Sequence, residues 1–296
     1  MKTVAIFGAG LIGGSFALAL RRAGFTGKIL GVSSSAALAE ALRLRVIDAG
    51  ASEEKAATEA DLIYLAQPVG RILTILERLN AHVKPSALIT DAGSTKAAIV
   101  EKAERYITRC QFLGGHPLAG KETRGVGAAE AEMFAGRTYV LTPVREGDLE
   151  TEAAREFVEW LRRIGAVPRV YDARRHDEIV AFTSHLPQLC STALAATLAK
   201  VFAGSRSEAE ATSGPGLRDT TRLALSSFDI WADILSTNSK AVLCALDEFI
   251  RRLSEIRQKL GSEPVELRPF FEQAADFALA VRGDAGTETK KFQIFL

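Results

Sequence analysis

The chain has 296 residues, 47% hydrophobic and 25% charged, with 37 basic side chains against 36 acidic ones for a net charge of +1. That length carries two domains or one large one with ample core. The balanced charge excludes a polyanion-binding surface, so nucleic acid and acidic membranes are not expected partners.

Three scattered cysteines (Cys110, Cys190, Cys244) form no CxxC pair and suit small core residues of a reducing compartment. No metal is expected. The apolar run Val4–Leu20 is interrupted by Gly8, Gly10, Gly13 and Gly14 and falls short of the roughly 20 residues of a spanning helix. A cytoplasmic protein with no membrane partner is the expectation.

The first strand, TVAIF (3–7), runs into a G-x-G-x-x-G turn, Gly8, Gly10 and Gly13 with Leu11 and Ile12 between them, which opens a helix over 11–24. Such a turn after a first strand predicts dinucleotide binding: a tight turn, close approach of a pyrophosphate, and helix packed on strand. A second strand, KILGV (28–32), ends where an acidic residue usually holds the adenosine ribose. Here stand Ser33, Ser34 and Ser35, with no acid before Glu40, and no arginine is expected close enough to clamp a 2′-phosphate. The missing carboxylate and the hydroxyls tip the balance toward NADP over NAD, while the same serines equally suit capping a helix over 35–45.

A strand over 61–66 leads through Gln67 and Pro68 into a helix over 70–82, with His82 exposed at its end. The strand 87–91 leads into TDAGSTK, where Ser94 either bonds a ring nitrogen or cofactor group or caps the helix over 95–106. The strand 110–115 leads into GGHPLAG, with His116 behind two glycines and held out of helical geometry by Pro117. A strand over 138–143, a helix over 149–165 and an edge strand over 166–171 complete the alternation. Loops 7–13, 66–69, 91–96 and 114–120 then gather at the carboxyl ends of a mainly parallel sheet, where ligands bind.

Helical patterns follow over 174–201, 214–226, 228–260 and 265–281. The fold expected is α/β, an N-terminal Rossmann-like doubly wound parallel sheet over 1–171 and an all-helical domain over 172–296. His176 and His185 lie nine residues apart, on opposite sides of a straight helix, so only one of them can face a given site. Pro187 should kink that helix and free a carbonyl near Thr183. His185 then either looks into a cavity beside the kink or is a satisfied core histidine. Arg218 and Arg222, four apart, suit a carboxylate-bearing substrate or a solvated basic face. Ser226 is expected to cap the next helix with Asp229, and Gly261 to close it.

The ordered set FGAGLIGGS, LAQPV, TDAGSTK, GGHPLAG, HDEIVAFTSHLP and RDTTRLA resembles the prephenate/arogenate dehydrogenase family of tyrosine biosynthesis, from about residue 3 to residue 250. The resemblance implies NAD(P)-dependent oxidative decarboxylation of a cyclohexadienol, prephenate or arogenate, in which a hydride and CO2 leave and a phenol forms. It implies that His116 is the catalytic imidazole and that Ser94 orients both it and the nicotinamide; an ordinary affinity for protons is expected of that imidazole. It further implies that His185 and Arg222 hold the substrate, and that Lys121 and Glu122 add polar groups to the pocket. A homodimer of helical domains is implied too. Any inhibition by tyrosine is expected at the substrate pocket, because product and substrate share shape and charge.

Three residues depart from the family pattern: Gln67 where threonine is frequent, Gln188 where a second histidine is, and Arg45 where a helix-ending glycine is. The β-hydroxyacid dehydrogenases carry Lys-x-x-x-Asn in their helical domain, and Asn238 and Lys240 have the wrong order and spacing for it. A non-catalytic NADP-sensing relative is the other alternative.

Overall fold

A computed structural model describes residues 1–121 and 123–283. Glu122 and the chain beyond Gly283 lie outside the described residues. The first half reads β1 Thr3–Phe7, α1 Leu11–Arg22, β2 Lys28–Val32, α2 Ser35–Arg43, β3 Ala49–Gly50, α3 Glu53–Glu59, β4 Leu62–Leu65, α4 Val69–Leu79, β5 Leu88–Asp91, α5 Ala97–Tyr106, β6 Gln111–Pro117, β7 Thr138–Pro143, α6 Glu152–Arg163 and β8 Val167–Val170. Helices follow: α7 Ala173–Val180, α8 Leu186–Val201, α9 Arg206–Thr212, α10 Pro215–Thr221, α11 Phe228–Thr237, α12 Ser239–Ser262 and α13 Arg268–Arg282.

The eight strands form one sheet in the order β3-β2-β1-β4-β5-β6-β7-β8. All neighbours pair in parallel except β6 and β7. Because successive strand residues point to opposite faces, one strand feeds two cores. Val4 and Ile6 of β1 join Phe16, Leu20, Phe157 and Leu161 on one side. Ala5 and Phe7 join Ile72, Leu76 and Ile99 on the other. The order reverses between β1 and β4, which opens a crevice at their carboxyl ends. Residues Met1–Val242 form one compact unit, and the described residues from Leu243 onward form a second.

The expected αβ alternation is present, with additions and shifts. The short β3 and α3 fill the stretch between the second and third expected strands, and α9 was not foreseen. The helix expected over 228–260 is two helices, α11 and α12, broken at Asn238. The cap sits one residue later than expected: Ser227, not Ser226, accepts the Asp229 N–H. Gly261 lies inside the last turn of α12 rather than closing it.

Arg45 has φ +56°, the one described non-glycine residue in the left-handed region. It follows α2 in a Schellman turn, in which the Val46 N–H donates to the Ala41 carbonyl and the Arg45 N–H to that of Leu42. A left-handed non-glycine residue costs roughly 1–2 kcal/mol, and glycine loses about 0.5–1 kcal/mol of that through chain entropy. Arg45→Gly is therefore expected to gain roughly 0.5–1 kcal/mol, read as a higher urea midpoint; an unchanged or lower midpoint would show the turn to be unstrained.

Candidate active site

The crevice at the β1/β4 switch holds a cavity of about 690 Å³ lined by Gly8, Gly10, Ser33, Ser34, Gln67 and Pro68 among others. Each glycine of the turn has a separate reason. Gly8 has φ +98°, and a Cβ there would stand 2.4 Å from the Ala66 carbonyl oxygen. A Cβ on Gly13 would stand 2.2 Å from the Gly8 carbonyl oxygen, so it permits helix-on-strand contact. A Cβ on Gly10 would meet nothing within 4 Å. Gly10 is the N-cap of α1 and brings no side-chain cap, and the first turn carries no acid.

The helical ladder starts with the Gly14 N–H donating to Gly10, so the N–H groups of Leu11, Ile12 and Gly13 have no acceptor within the helix. Leu11 and Ile12 stand in that first turn, and their side chains pack partly against the core. Uncapped donors beside an open glycine fit a pyrophosphate. Ser34 also caps α2, accepting the Ala37 N–H at 3.4 Å, so the two readings of these serines coexist. One expectation is corrected: an arginine does reach the cleft. Arg71, in the first turn of α4, lines it beside Ser33 and Ser34, brought there by folding from well beyond the second strand.

Next along the sheet, β5 ends at Asp91, which forms a fully buried ion pair with Lys96. The Lys96 ammonium also donates to the Gly115 carbonyl at 2.8 Å, and Asp91 accepts the Gly115 N–H at 3.0 Å. Burial pulls the Lys96 pKa down, opposed by the charge and hydrogen bond of Asp91.

The glycines before His116 serve close strand packing. A Cβ on Gly114 would stand 2.2 Å from the Thr142 hydroxyl, and one on Gly115 would stand 2.5 Å from the Asp91 carbonyl. His116 itself is not in a turn, because β6 runs to Pro117 and pairs His116 with Val140. The imidazole is thus carried by the sheet.

His116 Nδ1 lies 2.8 Å from His176 Nε2. His176 Nδ1 lies 2.8 Å from an Asp177 carboxylate oxygen. That carboxylate also accepts the N–H groups of Lys96 at 2.7 Å and Ala97 at 2.9 Å, capping α5 from outside. The Asn238 side-chain amide contacts the Asp177 carbonyl at 2.8 Å and His185 Nδ1 at 3.3 Å. The Trp231 ring meets His185 edge to face at 5.8 Å.

The expectation that only one of His176 and His185 faces the site is overturned. His176 bonds the His116 ring and the Asp177 carboxylate, and Asn238 links the Asp177 backbone to His185, so both histidines join one network. The helix is not straight: residues Ala181–His185 form a π turn between α7 and α8, and its wider winding changes the angle between the two histidines. Pro187 sits in the first turn of α8, so the disturbance near Thr183 is real and takes this form.

His116 is partly enclosed. Burial first, then the neighbouring His176, Lys96 and His185, hold its pKa well below the usual imidazole value. The ordinary proton affinity expected for it is therefore corrected downward. Burial also pulls His185 down to about 4.

Ser94 lies partly buried in the loop after β5. It does not cap α5, whose N-cap is Lys96, and the bonded neighbour of the His116 ring is His176. Arg218 and Arg222 are exposed, Arg218 on α10 and Arg222 in the 3-10 turn that follows. That turn is tied to α8: Gln188 donates to the Leu223 carbonyl at 2.8 Å, and Ser191 accepts the Ala224 N–H at 3.0 Å. Gln188 is three residues past His185, about one helical turn, which puts the arginine turn beside that histidine's helix. Lys121 pairs with Glu130 at 2.5 Å, and Glu122 is outside the described residues. His82 is exposed, as expected. Sequence reasoning missed His176, Asp177, Asn238, Lys96 and Arg71 as site residues. The HD dipeptide at 176–177, inside a quoted motif, was a usable signal for the first two.

Residues 16–168 match the family model described as "Prephenate dehydrogenase, nucleotide-binding domain", and residues 172–273 match "Prephenate dehydrogenase, dimerization domain". A prephenate dehydrogenase of Lactococcus lactis is 32% identical across all of this chain and 82% of its own length. One from Bacillus subtilis is 35% identical over 93% of this chain and 75% of its own. Among solved structures, prephenate dehydrogenase from Aquifex aeolicus in complex with hydroxyphenyl propionate and NAD+ superposes with a TM-score of 0.87 at 30% identity, covering 95% of this chain and 98% of that one.

The depressed pKa gives a direct check on the unliganded protein. Followed by NMR against pH, the His116 ring should remain neutral at pH 6.5 and titrate only below it; a midpoint at or above 6.5 would contradict the burial described.

Proposed function

The chain belongs to the prephenate dehydrogenase family, and from that premise we propose how its own residues perform the reaction. The activity is prephenate dehydrogenase, an oxidoreductase step that converts prephenate to 4-hydroxyphenylpyruvate for tyrosine synthesis. When bound, NAD(P) supplies the hydride acceptor. Gly8, Gly10 and the first N–H groups of α1 hold its pyrophosphate, with Gln67 and Pro68 across the cleft. Residues 1–171 form the cofactor-binding part and 172–296 the part that binds substrate and pairs subunits.

The observation that carries the reading is His116, fixed in β6 at the carboxyl edge of the sheet and held neutral. A neutral imidazole accepts the 4-hydroxyl proton as the ring carbonyl develops. Aromatisation and loss of CO2 supply the driving force, so positioning and charge recognition are what the protein must add. Arg222 takes a substrate carboxylate, with Arg218 one turn away. His185 donates to the substrate from inside the site, and Ser94 contacts the nicotinamide end. Any inhibition by tyrosine would be competitive at this pocket, because product and substrate share shape and charge.

NADP is favoured over NAD. Two acids line the cleft, but Glu40 is paired with Arg43 and Glu53 with Arg78. Arg71 has no ion pair among the described residues. Its charge, together with Ser33 and Ser34, suits a 2′-phosphate better than a bare ribose. A homodimer is supported by the apolar side chains exposed on α12 and α13, among them Leu243, Ile250, Leu253, Phe271 and Phe277.

Reduced-nicotinamide absorbance with prephenate or arogenate and NAD+ or NADP+, in all four pairings, tests the activity. Turnover is expected with prephenate. His116→Asn should cut kcat by roughly 10²–10⁴-fold with little change in KM; near-normal turnover would remove His116 from the role. Separately, Arg71→Ala should raise KM for NADP+ about ten-fold and leave that for NAD+ within about two-fold, since only the 2′-phosphate contact is lost. Equal effects on the two would place Arg71 elsewhere on the cofactor.

A further inference from the structure

We propose that Asp177 and Asn238 are positioning residues that set opposite tautomers on the two histidines of the site, leaving His116 Nε2 as a lone pair and His185 Nε2 as an N–H. The proposal rests on the reading of His116 as base and His185 as substrate donor.

The assignment follows from donor and acceptor capacity alone. An ionised carboxylate only accepts, and Asp177 already accepts two backbone N–H groups at the start of α5. The ring nitrogen facing it, His176 Nδ1, therefore carries a proton. In a neutral His176 the other nitrogen, Nε2, is then the acceptor. His116 Nδ1, 2.8 Å away, must donate to it. A neutral His116 with its proton on Nδ1 has its lone pair on Nε2, the form a base requires.

The second branch starts from the same residue. The Asp177 carbonyl only accepts, so the Asn238 atom 2.8 Å from it is the amide nitrogen. That nitrogen has one more hydrogen to give, and His185 Nδ1 lies 3.3 Å away. His185 Nδ1 is then an acceptor, and with a neutral ring its proton sits on Nε2. One residue thus directs both rings, through its carboxylate to His116 and through its backbone to His185. Among the charged side chains described near His116, the buried Lys96 and Asp91 are already satisfied by each other and by Gly115. Neither competes for the imidazole nitrogens. The proton that His116 receives at Nε2 leaves it cationic, and its Nδ1–H bond toward His176 and Asp177 strengthens.

The tautomers are read from nitrogen–proton couplings in 15N-labelled full-length protein without ligand. His116 protonated at Nδ1 and His185 at Nε2 is the expected result; the reverse on either ring overturns the assignment. Turnover gives the second arm. His176→Leu should lower kcat by roughly 10²–10⁴-fold. His176→Gln should restore at least about ten-fold of that loss, because its side-chain carbonyl can accept from His116 Nδ1. Leu and Gln variants that are folded but equally impaired would overturn the relay.

Asn238→Asp offers His185 a carboxylate that draws the proton to Nδ1. It should raise KM for prephenate about ten-fold with kcat within about three-fold; a loss confined to kcat would overturn the second branch. Because the couplings are read in the resting protein, failure of the tautomer assignment is distinguishable from failure of the activity, which the wild-type assay reports.

Discussion

An ion pair sealed from water underlies the edge of the sheet that carries His116. The register of β5 against β6 ends at Thr90 and Leu113, two residues short of Gly115. Beyond that point the Asp91 carboxylate takes the Gly115 N–H and the Lys96 ammonium takes its carbonyl. Side chains thereby stand in for a missing strand neighbour. Desolvating both charges is expensive, and the pair is viable because each end also finds backbone partners. Breaking such a pair from one side costs about 3–5 kcal/mol in proteins generally. The residue after Gly115 is His116, so the orientation of the imidazole inherits the rigidity of the pair.

A second constraint joins the helices after β8 to this frame. Neither α4 nor α5 has a side-chain cap of its own, since their N-caps are Pro68 and Lys96. Both borrow one. Asp177 of α7 accepts the first N–H groups of α5, and Asp233 of α11 accepts the Gly70 N–H of α4 at 2.8 Å. The Thr95 and Thr237 hydroxyls meet between the same parts at 2.8 Å. Caps of this sort contribute about 1 kcal/mol each, but here they also dictate geometry. Helices α7 and α11 are thereby registered on the N-terminal ends of α5 and α4.

The sheet was readable because its strands alternate with helices and are apolar on both faces, and because the glycine turn has a local steric cause. His116 and His185 were readable from polar residues embedded in apolar or Gly/Pro surroundings. What escaped was set by distance along the chain. Lys96 looks like an ordinary helix-start lysine until its partner Asp91 and the Gly115 backbone are placed around it. Arg71 enters the cleft only because β4 lies beside β1. His176 was set aside by treating its helix as regular, and no periodicity count reveals a π turn. The packing role of Gly114 and Gly115 escaped for a related reason, since their close neighbours belong to adjacent strands. Ser227 in place of Ser226 is a smaller matter, two serines competing for one cap.

The π turn at Ala181–His185 also bears on how such a site changes through descent. A helix winding with one extra residue per turn keeps the faces before it and shifts the phase of everything after it. Substitutions adjust one side chain at a time, whereas gain or loss of a single codon here would rotate His185, Gln188 and Ser191 together relative to His176. Lineages that keep this chemistry should therefore conserve the length of the segment between the two histidines more strictly than its composition.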